Sequence, residues 1–162
     1  MEEIARMQEN LLLIRRTVGW TAEEFGERIG VTRQTINNIE SGRSKLTKTQ
    51  YIAMRSVLDG EMQRSPEDTE MLRVLLDVLV DHPEKCTGEQ REMLIEQANM
   101  TVPAILAGTT SRAKISQKWL RDVAALAGLS AGALLGVLGL SLGLNSWLLK
   151  IISGGRIKTN GR

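Results

Sequence analysis

TAEEFGERIGVTRQTINNIESG, residues 21–42, is the stretch that decides the fold. Thr21 stands three residues before Glu24, the spacing of a capping box in which each side chain satisfies a free amide at the other position. A short helix is therefore predicted from Ala22 to Ile29, with Phe25 and Ile29 on one face. Gly30 suits the left-handed backbone conformation that ends a helix in a tight turn. Val31 follows as an apolar plug, and Thr32 is placed to cap a second short helix running to about Glu40. Ile36 and Ile39 are its inward residues. Thr35, Asn37 and Asn38 fall on its other faces, and Arg33 and Gln34 lie at its exposed start.

On either side of this stretch the pattern continues. Ile4, Leu11, Leu12, Ile14 and Val18 recur at helical spacing, and Gly19 closes that run. A further helix is expected after Thr47. The series Phe25-Gly26-x3-Gly30-Val31-x4-Ile36-x2-Ile39-Glu40-x-Gly42 resembles the helix-turn-helix of the Cro/C1 (XRE) family of DNA-binding regulators, over about residues 8–60. Two positions depart from the family pattern. Ala22 replaces a frequent phosphate-contacting Gln, which weakens one backbone contact. Gly26 replaces the usual Ala, which is expected only to loosen helix packing by up to about 1 kcal/mol.

The resemblance implies an all-α fold with an N-terminal lambda-repressor-like bundle, whose second helix of the motif enters the major groove. Carried over, Arg33 and Gln34 meet base edges, with Asn37 and Asn38 one turn on. Arg33 suits guanine, while Gln34 or an Asn suits adenine. Thr32, Arg43, Lys45 and Lys48 are the candidates for phosphate, which fixes position without reading sequence. The alternative for Asn37 and Asn38 is a plain solvated role. Family members usually bind double-stranded DNA as dimers, so a homo-oligomer, at least a dimer, is expected.

Composition sets further bounds. The chain has 162 residues, one Cys and one His, so Cys86 has no intramolecular disulfide partner and no zinc site fits within one chain. The opening residues are acidic, with an apolar run only from Leu11 to Ile14, and predict no secretory signal. Charge is segregated. Residues 1–60 carry nine Lys/Arg against eight Asp/Glu, a net of +1. Residues 61–110 carry four against ten, a net of −6, and residues 111–162 carry eight against one, a net of +7. Three regions with separate tasks are expected: a DNA-binding domain, an acidic helical region and a basic-flanked apolar segment with its tail.

In the acidic region a helix is predicted to open at Ser65-Pro66-Glu67-Asp68, with Met71, Leu72, Leu75, Leu76 and Leu79 as its stripe and His82-Pro83 as its stop. Thr87 and Gln90 form another capping box, followed by Met93, Leu94 and Ala98. A third, short helix is expected near Pro103. The carboxylates form no acid–base pair and read as a solvated face, and the neighbours His82 and Cys86 read as incidental. No nucleophile motif, phosphate loop or metal pattern is present, so neither an enzyme nor a cofactor is expected.

From Val123 to Leu149 the chain has no charged residue over 27 positions, more than the roughly 20 that a membrane helix needs. Trp119 and Trp147 are 28 residues apart, about 42 Å as continuous helix, which matches a bilayer with its interfaces. Gly128, Gly132, Gly136, Gly139 and Gly143 fall along one helical face, a stripe that allows close helix packing. Three readings stay open: a membrane-inserted helix, the buried core of an oligomer, or an interfacial hairpin. The expected function is a sequence-specific transcriptional regulator, with a repressor preferred. Its DNA-binding domain would be cytoplasmic and its C-terminal part would self-associate or meet membrane lipid. The alternatives are a membrane-assembly protein that uses the motif to bind protein, or an antitoxin.

Overall fold

The computed structural model describes residues 1–126, and all their regular structure is helical, with no strand among the described residues. Helix α1 spans Glu2–Val18, α2 Ala22–Ile29, α3 Arg33–Glu40 and α4 Lys48–Arg64. Helix α5 spans Glu70–Leu76 and passes into a single π-helical turn, Asp77–Asp81; a 3-10 turn, Pro83–Lys85, follows. Helices α6, Gly88–Ala107, and α7, Arg112–Leu126, complete the described chain.

Local chemistry starts most of these helices. The expected capping boxes at Thr21/Glu24 and Thr87/Gln90 are both formed, and a third at Thr47/Gln50 opens α4. The expected apolar positions largely hold: Leu11, Ile14, Phe25, Ile36 and Ile39 are fully buried, and Val18 is 1% exposed. Leu12 is the exception at 38% exposure, because one step around the helix from Leu11 turns it outward.

Helix α1 is the shared wall of the molecule. It packs against α3 and α4 on the one hand and against α5, its π turn and α6 on the other. Being covered on several sides, it buries Leu13 and Thr17 as well as its main stripe. One continuous apolar cluster therefore runs from Met7 through Met54, Leu58 and Leu75 to Val123. Helix α4 itself continues to Arg64, through residue 60 where the charge balance changes sign. Polar ties join the two layers as well. Arg6 Nε donates to the Val80 carbonyl at 2.8 Å, Arg55 is paired with Asp81 at 2.9 Å, and Arg112 donates to the Val18 carbonyl at 2.9 Å while pairing with Glu61 and Asp68.

Several sequence expectations are corrected here. Pro66 ends α4 instead of opening the next helix: it bars Ser65 from helical geometry, and α5 starts only at Glu70. Pro103 opens no separate helix but lies inside α6. It is tolerated because Asn99, whose carbonyl loses a donor there, is exposed, as is Pro103 itself. The carboxylates are not all solvated. Glu61 is 7% and Glu70 6% exposed, since α5 is buried nearly all round. Burial also raises the Glu70 pKa, against the opposing pull of the Arg73 charge.

Trp119 is not an interfacial anchor. It is 1% exposed, and with Ile115, Leu120 and Val123 it forms the inner face of α7 against α5 and α6. The uncharged run thus begins as ordinary core at Val123 and Ala124. Among the described residues no helix is long and apolar enough to cross a membrane. The glycine stripe from Gly128 to Gly143, Trp147 and the basic tail lie outside the described residues.

Candidate nucleic-acid interface

The interface is built on the α2–α3 unit. Gly30 takes φ +76°, the left-handed conformation that favours glycine, and the chain turns back at Val31. The Val31 amide donates to the Gly26 carbonyl at 2.9 Å. This brings the turn so close to α2 that a Cβ on Gly26 would stand 2.6 Å from the Val31 carbonyl oxygen and 3.2 Å from the Thr32 carbonyl carbon. Gly26 therefore does more than loosen packing. It leaves room for the backbone that carries α3. Beside the turn, the Arg28 guanidinium lies 4.3 Å from the Trp20 ring centre, and Trp20 packs against Phe25.

Thr32 caps α3 by accepting from the Thr35 amide at 3.1 Å, and its hydroxyl also bonds the Thr35 hydroxyl at 2.9 Å. Ile36 and Ile39 seat the helix in the core. Its far end is held by a buried fork: Arg15 Nε and Nη2 donate to the two Glu40 carboxylate oxygens, while Nη1 donates to the Trp20 carbonyl at 2.9 Å. Both partners are removed from solvent, with side-chain exposures of 10% and 7%. A two-pronged pair of this kind fixes orientation as well as distance.

With its back fixed in this way, α3 turns its start to solvent. Arg33 and Gln34 are exposed, and Asn37 and Asn38 are half-buried. Gln34 Nε2 donates to Asn38 Oδ1 at 2.9 Å, so these two amides form one unit. Arg43, Lys45 and Lys48 are also exposed, the first two on the α3–α4 loop and the third at the first position of α4. Neither α3 nor α4 has an acidic residue in its first turn, which leaves the positive helix ends open to an anion. Helix α2 differs. Glu23 and Glu24 occupy its first turn, and the Thr21 amide holds the Glu24 carboxyl below its usual pKa. With Ala22 in the place of a Gln, the start of α2 offers little to phosphate.

One positioning side chain escaped the sequence pattern. Gln8 on α1 donates through Nε2 to the carbonyls of Ile39, at 2.9 Å, and Ser44, at 2.7 Å, while its Oε1 accepts from the Leu46 amide at 2.9 Å. Nothing local marks it, because all three partners lie more than 30 residues away. The Arg15–Glu40 fork was hidden for the same reason.

Among the described residues, no group of acidic, His and Cys side chains is arranged to hold a metal. Residues 11–63 match a protein-family model described as helix-turn-helix. No curated protein and no solved structure matches the chain.

Proposed function

Because residues 11–63 are a helix-turn-helix domain of the Cro/C1 (XRE) type, a DNA-binding regulator module, we propose that this chain is a sequence-specific transcriptional repressor that reads its site with the start of α3. The observation that carries this reading is the exposed Arg33–Gln34 pair on a helix held from behind by Ile36, Ile39 and the Arg15–Glu40 fork. Arg33 offers two parallel N–H donors, which match guanine O6 and N7. In the Gln34–Asn38 unit the Gln34 carbonyl and the Asn38 amide nitrogen stay available, an acceptor and a donor that together match adenine. Arg43, Lys45, Lys48 and the α3 and α4 starts, Thr32 included, serve the flanking phosphates. The first 60 residues carry a net charge of only +1, so affinity rests on this local basic edge and on two copies per site.

The test is duplex selection by the full chain, followed by binding of Arg33→Ala and Gln34→Ala variants. Each should lose preference at its own base by about 1–3 kcal/mol and keep a salt-dependent residual affinity. Absence of any duplex affinity in the unaltered chain refutes the reading.

We further propose that the uncharged run from 123 to 149 serves self-association or anchoring at the cytoplasmic membrane. Its support is the absence of charge over 27 residues and their glycine spacing. Partition of the full chain into membranes that only detergent releases would support anchoring. A detergent-independent monomer would overturn both roles.

A further inference from the structure

We propose that Gln8, outside the reading helix, is the positioning residue that holds the α3–α4 loop ready for phosphate contact; this rests on the DNA-binding reading above. The loop from Ser41 to Leu46 contains no regular structure, yet it carries Arg43 and Lys45 on exposed sites. Its own backbone bonds tie it mainly to the end of α3: the Ser41 amide donates to the Asn37 carbonyl, Gly42 to Ile39 and Ser44 to Asn38. Gln8 supplies the link to α1. Its three bonds bracket the basic residues, with the Ile39 carbonyl before them, the Ser44 carbonyl between them and the Leu46 amide after them.

The chemistry selects an uncharged amide. Two carbonyls need N–H donors and one amide needs an acceptor, and the Gln side chain supplies both at one terminus. A carboxylate there could accept from Leu46 but would face two carbonyl oxygens and the incoming phosphate. An ammonium could donate but not accept. Neighbouring Arg6 on α1 is bonded to Val80 and paired with Glu2, so that end of α1 is anchored in the second layer while it holds the loop.

A loop that is ordered only a tenth of the time binds about tenfold more weakly, because apparent affinity scales with the competent fraction. Such a loss acts through phosphate and is independent of sequence. The experiment uses the full chain, a duplex selected by it and a random duplex, titrated between about 50 and 200 mM salt. Gln8→Ala and the volume-keeping Gln8→Met are compared with Arg43→Ala/Lys45→Ala, alone and combined. Gln8→Ala and Gln8→Met should each lose about tenfold on both duplexes and leave their affinity ratio intact. The salt slope should become shallower by about one for each phosphate contact released. In the background lacking Arg43 and Lys45, Gln8→Met should change nothing further. A purely structural role would lower the unfolding midpoint and leave the salt slope unchanged.

An unchanged slope overturns the proposal, as does a loss confined to the selected duplex or an equal loss in the Arg43→Ala/Lys45→Ala background. If the unaltered chain binds no duplex, the DNA-binding reading itself fails. That result is distinct from a wild-type binder that is indifferent to Gln8.

Discussion

Gly26→Ala sets two effects of opposite sign against each other. In a helix interior, Ala is favoured over Gly by about 1 kcal/mol, partly through the lower entropy of the unfolded chain. At Gly26 the added Cβ would lie 2.6 Å from the Val31 carbonyl oxygen and 3.2 Å from the Thr32 carbonyl carbon. Both are backbone atoms, so no side chain can swing aside. The turn itself must move by roughly half an ångström, and overpacking of this kind costs about 1–3 kcal/mol. The steric effect wins, giving a net destabilisation of about 1–2 kcal/mol. Gly60 provides the internal control. It lies inside α4, and a Cβ added there would meet nothing within 4 Å, so Gly60→Ala should stabilise by about 0.5–1 kcal/mol. Urea unfolding followed by helical circular dichroism measures both, with the slope checked for constancy. If Gly26→Ala stabilises the chain as Gly60→Ala does, the close approach of turn and helix is wrong. The displaced turn also carries Thr32 and Arg33, so Gly26→Ala should weaken duplex selection before it unfolds the domain.

Two further predictions concern buried charge. Glu40→Ala leaves the Arg15 guanidinium enclosed without its carboxylate and should cost about 3–5 kcal/mol, whereas joint replacement of Arg15 by Met and Glu40 by Leu should cost much less; a double-mutant cycle in urea that returns additive effects would refute the buried fork. Glu70 has its pKa raised, chiefly by burial, and its Oε1 has no hydrogen-bond partner. The folded state therefore holds this proton more tightly than the unfolded state, and the group's contribution to stability declines as pH rises from the ordinary carboxylate value through the raised one. Glu70→Gln should stabilise the chain at neutral pH by about 1 kcal/mol and bring no gain well below the ordinary carboxylate value; equal unfolding midpoints at pH 7 would show that Glu70 ionises there without penalty.

The motif at residues 21–42 was legible in the sequence because its determinants are local. A capping box, a left-handed glycine and inward residues three or four positions apart act within one or two helical turns. Exposure of Arg33 and Gln34 follows from their place at the start of a helix whose Ile36 and Ile39 face inward. The acidic region was less legible, for a reason visible in α5. Its residues pack on several neighbours at once, so Val74, Val78 and Val80 are buried beyond the expected stripe and Glu70 is drawn in with them. Periodicity identifies one buried face and cannot show that a helix is covered on all sides.

From the sequence alone came the all-helical character, the turn and the polar start of α3, since each depends on neighbours a few residues apart. Tertiary structure alone decided that Trp119 is core, that Gly26 makes room for a backbone carbonyl, and that Gln8 and Arg15 hold the reading unit from α1. These depend on pairings across 25 to 48 residues or between packed helices. The one-dimensional pattern sets which faces are apolar, but the partner that meets each face is chosen only when the whole chain packs.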